Sequence, residues 1–258
     1  MKIIISPAKK MEECPDLFGT GGMPEYLDRT EILCERLKSM SEAELQAVFK
    51  ANDQITRQNF ERYRHMELAR ANTPALLAYV GIQYQYMAPK LFSEKQWEYV
   101  KEHLRILSGF YGILRPDDAV TPYRLEMQAK LSVEGAKDLY DFWGSSLYAS
   151  LTGEAHPVII NLASKEYSRA VEPYLTEKDR LVTCVFGSLQ AGKVKVKATE
   201  AKMARGEMVR YMAQERIQDP EQLRKFEGRN HRYAPEYSGE NTLVFLRKKA
   251  SRLTDWEE

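Results

Sequence analysis

Basic side chains follow two short apolar runs, at the points where buried strands are predicted to end. Lys9 and Lys10 come after the run 2–6, and Lys165 comes after the run 158–162. Binding sites in α/β sheets usually lie in loops at the carboxyl ends of strands. Because a lysine ammonium is a compact cation that suits phosphate, these three residues are candidate anion ligands. Solvated lysines on ordinary loops would give the same pattern, and the sequence does not separate the two interpretations.

The stretch 107–131 crowds charged groups between large apolar residues, which is typical of a half-buried site. Arg115 and Arg124 are its candidate phosphate ligands. Glu126 and Asp117 are its candidate general acid or base groups. An equally simple interpretation is a pair of core strands joined by a polar turn.

The segment 123–127 alternates charged and apolar residues as a strand would. Arg124 and Glu126 should then point to one face and Leu125 to the other. A buried carboxylate needs a cationic partner. The candidates for that partner are Arg124, Arg115 and Lys9. We therefore expect Glu126 in an ion pair at the site, with Lys9 as a further candidate catalytic group.

A third basic segment is the predicted helix 199–216, which follows a predicted β-hairpin formed by 181–187 and 193–198. Lys202 and Arg205 lie on this helix beside Gly206. Glycine inside a helix costs about 1 kcal/mol relative to alanine. Gly206 therefore predicts close packing against another backbone, or access for a ligand. A solvated basic face is the simpler alternative for the cations.

Ser6 and Lys9 match the S-x-x-K spacing of serine acylases of the penicillin-binding type. Those enzymes also contain S-D-N and K-T-G strings, which this sequence lacks. Their serine begins a helix, whereas Ser6 ends a predicted strand. We therefore do not expect Ser6 to be a catalytic nucleophile.

The composition is that of an ordinary globular protein. The 258 residues carry a net charge of +1, so nucleic-acid binding would need clustered positive charge. Three cysteines and four histidines are scattered without metal-ligand spacing, and we expect no metal or other cofactor. No run reaches the roughly 20 apolar residues of a membrane span, and MKIIISPAKK lacks a signal-peptide pattern. We expect a cytoplasmic protein without a membrane partner.

Strands are predicted at both ends of the chain, with helices between them. Apolar periodicity and capping residues predict helices at 25–40, from Ser41, from Asp53 to about Ala71, from Ser93, at 137–151 and at 199–216, and further strands at 76–80 and 242–246. No linker, repeat or low-complexity tract divides them. We predict one domain, 1–258, of mixed α/β (α+β) class, with a mixed central sheet flanked by helices.

Several strings in fixed order resemble one family. They are SPAKKM, LSGFYGILRPDD followed by PYRLEM, INLASKEY, and KMARGEMVRYM. The pattern is similar to that of the bacterial YaaA family of peroxide-stress-resistance proteins, and it extends over almost the whole chain. The resemblance implies a cytoplasmic protein that limits hydroperoxide and iron-driven DNA damage. It also implies a compact single-domain α/β fold with a positively charged cleft, and DNA binding. The loop 12–22 and the C-terminal tail depart most from the family pattern.

A helix-hairpin-helix element is also associated with the fold of that family. Such an element uses a glycine-bounded turn whose backbone amides meet a phosphate. The segment 109–112, directly after the Ser93 helix, could form it. A pair of strands joined at the same glycines is the alternative, because Arg115-Pro116 continues poorly as a second helix.

The leading hypothesis is a DNA-binding stress protein. Its electropositive cleft would be lined by Lys9, Lys10, Arg115, Arg124, Lys165, Lys202 and Arg205. An unpaired base would stack on Tyr111, Tyr123 or Tyr167. The alternative is an enzyme that acts on a phosphorylated or nucleotide-like small molecule in the same cleft, and the sequence leans towards a protein without catalytic activity. The expected partner is duplex or distorted DNA, with a small anionic ligand as the alternative, and a monomer is favoured.

Overall fold

Short apolar runs become strands in the computed structural model, which describes residues 1–153 and 156–248. The strands are β1 (Lys2–Ile5), β2 (Lys10–Met11), β3 (Thr73–Pro74), β4 (Tyr79–Val80), β5 (Leu104–Ser108), β6 (Gly112–Leu114), β7 (Ala119–Val120), β8 (Ile159–Leu162), β9 (Leu181–Gln190), β10 (Lys193–Lys195), β11 (His231–Tyr233) and β12 (Thr242–Arg247). The α-helices are α1 (Leu27–Lys38), α2 (Glu42–Phe49), α3 (Asp53–Arg64), α4 (Ala75–Ala78), α5 (Ile82–Met87), α6 (Glu94–His103), α7 (Leu139–Trp143), α8 (Ser146–Thr152), α9 (Lys165–Ser168) and α10 (Ala198–Glu215). Single 3₁₀ turns occur at Leu68–Arg70, Pro89–Leu91, Glu172–Tyr174, Pro220–Lys225 and Pro235–Tyr237.

One mixed sheet organises the molecule, with strand order β11-β12-β9-β8-β1-β5-β6 and β10 paired to β9. Its five central strands, β12, β9, β8, β1 and β5, are parallel. Both edge strands, β6 and β11, are antiparallel to their neighbours. Ile3, Ile4 and Ile5 of β1 are completely buried, as expected of a central parallel strand covered on both faces. The predicted mixed α/β class, with a central sheet flanked by helices, is confirmed.

The position of β1 fixes where a ligand can enter. The chain first places β5 on one side of β1, and only later places β8 on the other side. The connections that leave the ends of β1 and β8 therefore diverge and open a crevice at the carboxyl edge of the sheet, where ligands bind in folds of this type.

The stretch around Gly109 forms a strand pair and not a helix-hairpin-helix. Strands β5 and β6 pair antiparallel, with Ser108 opposite Gly112. Gly112 has φ of +74°, and a side chain at that position would collide with the Trp143 ring. The left-handed backbone of Gly112 closes the turn tightly, so residues 109–111 have no room to form a helical turn.

Helix α10 packs against α5, α6 and β9. Gly206 makes its closest contact possible, because an added Cβ would overlap the carbonyl oxygen of Gln83 in α5. The close backbone packing predicted for Gly206 is confirmed. The contact places the basic face of α10 beside the carboxyl edge of the sheet.

Three predicted elements differ from the structure. The apolar run 76–80 forms α4 and the two-residue strand β4, since a fully buried run has no period that separates helix from strand. The helix predicted at 137–151 is divided into α7 and α8 by Gly144, whose φ is +51°. Helix α3 is capped by Asn52, whose side chain accepts a hydrogen bond from the Ile55 amide, and it ends at Arg64.

Helices α2 and α6 begin where their capping residues predict. Ser41 and Ser93 both form capping boxes, with Glu44 and Gln96 reaching back to the cap amides. Buried apolar side chains from the sheet and the helices form one continuous core. The prediction that 1–258 is a single domain also covers residues outside the described part of the chain, and it stays a prediction.

Candidate functional site

A pocket of about 360 Å³ lies at the carboxyl edge of the sheet. Its lining residues come from five separated segments: 6–10 after β1, 80–84 at the start of α5, 123–126, 164–167 at α9, and two side chains of α10. Three of these segments contain strings that the sequence analysis selected for chemistry. The fold therefore brings SPAKK, PYRLE and ASKEY together with Lys202 and Arg205.

Ser6 and Ser164 join the ends of β1 and β8 at the base of this pocket. Ser6 Oγ accepts a hydrogen bond from the Ser164 amide at 2.8 Å and lies 3.2 Å from Ser164 Oγ. Ser164 precedes α9 but does not cap it with its side chain. The Ser6 carbonyl accepts a hydrogen bond from Tyr84 Oη at 3.0 Å. Lys9 lies beside Glu126 and is not paired with Ser6, so the S-x-x-K spacing forms no nucleophile-base pair here.

The segment 123–126 is a loop that belongs to no helix or strand, and neighbouring side chains hold it in place. Tyr63 Oη donates to the Arg124 carbonyl at 3.0 Å. Tyr123 Oη lies 2.6 Å from Ser108 Oγ and 2.9 Å from Tyr79 Oη. The segment also contacts Gly109, where an added Cβ would lie 2.7 Å from the Leu125 carbonyl oxygen. Leu125 is buried, and it lines the pocket together with Tyr123, Arg124 and Glu126, so the predicted separation of Leu125 from its charged neighbours is not clean.

Glu126 lies between two cations. Its carboxylate accepts from Arg124 Nη2 at 3.2 Å, and it forms an ion pair with Lys9 Nζ at 2.9 Å. The Arg124 and Glu126 side chains are 11% and 16% exposed, whereas Lys9 is 64% exposed. The inner pair is therefore shielded from solvent, and Lys9 closes it from outside. The predicted ion pair between Arg124 and Glu126 is confirmed.

Glu166 is a second carboxylate in the pocket, and it has no ion-pair partner among the described residues. One of its oxygens accepts a hydrogen bond from the Gln128 amide at 3.3 Å. Burial raises the pKa of Glu166 above its ordinary value, and the nearby Glu126 carboxylate raises it further. The Gln128 amide and the Lys9 ammonium act in the opposite direction.

Arg205 is a half-buried cation whose Nε is buried, and it forms neither an ion pair nor a side-chain hydrogen bond with any residue in the described part of the chain. Burial lowers the pKa of Arg205, and only the Cys184 thiol acts against this effect. Unpaired buried charge is expensive. In the described chain, five buried side-chain nitrogen or oxygen atoms lack a hydrogen-bond partner, and three of them belong to pocket residues: Gln83 Nε2, Arg124 Nε and Arg205 Nε.

Eight of the residues predicted for the site line this pocket: Lys9, Lys10, Tyr123, Arg124, Glu126, Tyr167, Lys202 and Arg205. Five of its side chains are basic and two are acidic, so the pocket favours an anion. Tyr123 and Tyr167 are only 3% and 6% exposed, and they form walls of the pocket and not open stacking faces. Burial raises the pKa of Tyr123 to about 12, so its hydroxyl stays neutral.

Four predicted site residues lie elsewhere. Lys165 is exposed on the outer side of α9 and pairs with Glu172. Arg115 and Asp117 line a shallow depression beside α6, because the turn after β6 leads away from the pocket. Tyr111 is 1% exposed and packs edge-on against Phe110 and Tyr123 in the core. Neighbours in sequence therefore separate when β5 and β6 fold back on each other.

Sequence reasoning missed Gln83, Tyr84 and Glu166. Gln83 and Tyr84 lie in a short helix whose apolar spacing is too brief to show a face. They are brought to the pocket by the close packing of α5 against Gly206. The sequence predicted a close contact at Gly206 but did not show which segment makes it. Glu166 stands beside Lys165 in the string ASKEY, and on a helix the two adjacent side chains point in different directions.

Comparisons with known proteins match the part of the chain that contains the pocket segments. A family model described as peroxide stress protein YaaA matches residues 1–237. The chain belongs to the YaaA family. A UPF0246 protein of Lachnoclostridium phytofermentans is 52% identical over 251 residues, which cover 97% of this chain and 98% of that protein. Two further UPF0246 proteins, from Pediococcus pentosaceus and Agathobacter rectalis, are 47% and 50% identical and cover 96% and 97% of this chain and 99% and 100% of their own lengths.

The pocket of this YaaA family member is built within the matched residues, since its last lining residue is Arg205. Within the described ranges, none of the helices is long and apolar enough to cross a bilayer.

Proposed function

We propose that this protein binds DNA through its phosphate groups at the basic pocket and its rim, and that it thereby serves peroxide resistance in the cytoplasm. The observation that supports this most directly is Arg205, a half-buried cation whose buried Nε lacks a hydrogen-bond partner and which has no anionic partner in the described chain. A phosphate oxygen would supply the missing charge and hydrogen bonds. The description of the family as a peroxide stress protein supplies the biological setting.

Exposed lysines around the mouth of the pocket would contact the backbone of a DNA duplex. A pocket of about 360 Å³ is too small for a double helix, so backbone phosphates would meet the exposed side chains around its mouth. Lys9, Lys10 and Lys202 are exposed there. The β9-β10 hairpin adds the exposed Lys193 and Lys195 next to the start of α10. Only one phosphate group of the DNA would enter the pocket and reach Arg205.

Salt dependence tests this proposal. We expect the logarithm of affinity for a duplex to fall linearly with the logarithm of salt concentration. The double variant Lys202→Ala/Arg205→Ala should lower that slope by about one for each phosphate that it no longer binds. Lys165→Ala is the matched control, because Lys165 is exposed and lies outside the pocket. Titrations with duplex, bubble and single-stranded DNA would show which form is preferred, and an unchanged slope in the double variant would remove α10 from the interface.

A second candidate function is catalysis on a phosphorylated or nucleotide-like small molecule. The enclosed ion-pair arrangement of Lys9, Arg124 and Glu126 favours it, since polar groups converging in a small pocket are typical of enzymes. Glu126 and Lys9 would be the candidate catalytic groups, since Asp117, the third candidate, lines a different depression. Turnover of a phosphate ester that is lost in Glu126→Gln, with DNA binding unchanged, would favour this alternative.

A further inference from the structure

Two pocket residues of opposite charge both lack an ionic partner. In the portion of the chain that the structure describes, Arg205 forms no ion pair with a carboxylate, and Glu166 forms none with a cation, since the nearby Lys9 pairs with Glu126. They do not pair with each other, although both line the same pocket. A ligand that carries an anion at one end and N–H donors at the other would satisfy both groups at once.

The remaining charges of the pocket are already matched. Glu126 is paired with Arg124 and Lys9, and Lys10 is paired with Glu12. The groups left for a ligand are therefore Arg205, Gln83, Lys202 and Glu166. Gln83 is 6% exposed and its amide nitrogen is unpartnered. The backbone carbonyl of Gln83 lies against Gly206, so Gln83 packs beside the helix that carries Arg205, and both residues line the pocket.

The walls between these groups are apolar and aromatic. Ile82, Tyr84, Tyr123, Leu125 and Tyr167 line the pocket. The volume of about 360 Å³ lies in the lower part of the range for small-ligand pockets. A flat ring with a phosphate attached has the required shape and polarity.

We infer that this pocket binds one nucleotide unit, with its phosphate on Arg205 and the donor edge of its base on Glu166. Guanine fits best, because its ring N–H and its exocyclic amino group lie side by side and can meet the two oxygens of one carboxylate. The unit can be a free mononucleotide or an unpaired nucleotide of DNA. The second source rests on the DNA binding proposed above and would make the protein selective for distorted DNA.

The test compares ligands that differ by one amino group. Calorimetric titration with dGMP, dIMP and dTMP measures the free nucleotide. Duplexes with a single unpaired guanine, hypoxanthine or thymine, and a fully paired duplex, measure DNA. We expect dGMP to bind about tenfold more tightly than dIMP, which is the value of one hydrogen bond to a charged group. Equal affinity for dGMP and dIMP in the unmodified protein would overturn the inference without any variant.

Two variants test which residue binds the phosphate of the nucleotide and which binds its base. Glu166→Gln keeps an oxygen for the Gln128 amide but should abolish the preference for dGMP over dIMP. Arg205→Met should weaken both nucleotides at least tenfold and leave their ratio unchanged. Lys165→Met is the control that should change neither. If Glu166→Gln still binds dGMP more tightly than dIMP, a group other than Glu166 recognises the base.

The two proposals fail in different ways. If the fully paired duplex still binds with its salt slope but no amino-group preference is found, the nucleotide pocket is wrong and DNA binding stands. If nucleotides show the Glu166-dependent preference but no DNA binds, the pocket stands, its source is the free mononucleotide, and DNA binding is wrong. A preference seen both with dGMP and with the unpaired guanine supports both proposals.

Discussion

Ser6 and Ser164 are 158 residues apart in sequence, yet the Ser6 hydroxyl accepts a hydrogen bond from the Ser164 amide at 2.8 Å. The bond joins the carboxyl ends of the parallel strands β1 and β8. Both loops that leave these strands line the pocket. The serine of the S-x-x-K string therefore has a structural partner, which accounts for its position without covalent chemistry.

Ser6→Ala should keep the fold and leave phosphate binding nearly unchanged. The variant leaves the Ser164 amide without its acceptor, and we expect it to lose about 1–2 kcal/mol of unfolding free energy. Urea unfolding measures that loss, and DNA titration measures binding. Labelling of Ser6 by an acylating serine probe, absent in Lys9→Ala, would contradict the structural role and make the enzyme alternative the leading one.

Arg124 and Glu126 should be coupled in a double-mutant cycle. Arg124→Met removes the shielded partner but leaves Lys9, so we expect a loss of about 2 kcal/mol, below the value for a fully buried pair. Glu126→Gln should cost about 1–2 kcal/mol, and the two changes together should cost about 1 kcal/mol less than their sum. Lys9→Met, at an exposed position, should stay within about 1 kcal/mol of the unmodified protein. Additive losses of a few tenths would mean that the pair is not embedded in the site.

Gly206→Ala should destabilise the protein although alanine favours helices. The new Cβ would overlap the Gln83 carbonyl oxygen, so α5 and α10 must separate. We expect a net loss of about 1–3 kcal/mol, as is usual for overpacking, together with weaker nucleotide binding. Glu215→Ala, at an exposed position of the same helix, is the control. A Gly206→Ala variant as stable as the control would show that the two helices are free to shift.

Asp179 should contribute stability that is lost in acid. Its side chain is completely buried and accepts hydrogen bonds from His156, Tyr148 and Thr176. Burial alone would raise the pKa of Asp179, but these donors hold it well below its ordinary value. The contribution is therefore present above about pH 4, the pKa of an unfolded aspartate, and disappears as pH falls below that value.

Unfolding of Asp179→Asn checks this contribution. The variant should be less stable than the unmodified protein at pH 6, and the difference should shrink as pH is lowered from 4 towards 2. A difference that is constant with pH would mean that the carboxylate charge does not matter.

Asp118 should make the pH dependence of stability opposite to that caused by Asp179. It is 5% exposed, and burial raises its pKa to about 7 although the Arg115 amide donates to it at 2.7 Å. The folded protein then holds a proton that the unfolded chain releases above about pH 4, so stability should fall between about pH 4 and pH 7. Asp118→Asn should remove that fall and be more stable than the unmodified protein at pH 8, whereas Asp117→Asn should not. Parallel pH profiles for Asp118→Asn and the unmodified protein would contradict the shift.

Local patterns were enough to predict the parts of the site that lie at strand ends. β1 and β8 were visible as apolar runs, and position alone marked Lys9 and Lys10 as pocket residues. Gly206 predicted a close backbone contact, because glycine destabilises a helix and its presence there needs a structural reason. The pairing of Arg124 with Glu126 was predicted correctly, although the segment proved to be a loop held by Tyr63.

Other features depend on contacts that no local pattern contains. Arg115 and Arg124 are close in sequence, yet the turn at Gly112 sends Arg115 to a different surface. Glu166 lines the pocket whereas Lys165 pairs with Glu172 outside it, and the sequence does not show which of two adjacent residues will face the pocket. The strand pair at Gly109 was one of two structures that the glycines allowed. The Trp143 ring beside Gly112 favours the tight turn, and that contact joins residues 31 positions apart.

The pocket is assembled from segments that begin at Ser6 and end at Arg205, and this has a consequence for synthesis on the ribosome. A nascent chain that stops before α10 contains Ser6, Arg124 and Glu166 but lacks the helix that brings the unpaired cation. Nucleotide affinity should therefore appear only in stalled chains that are long enough for all of α10 to have left the ribosome, and shorter stalled chains should not capture the nucleotide. Binding would report that α10 has packed against α5, before β11 and β12 join the sheet.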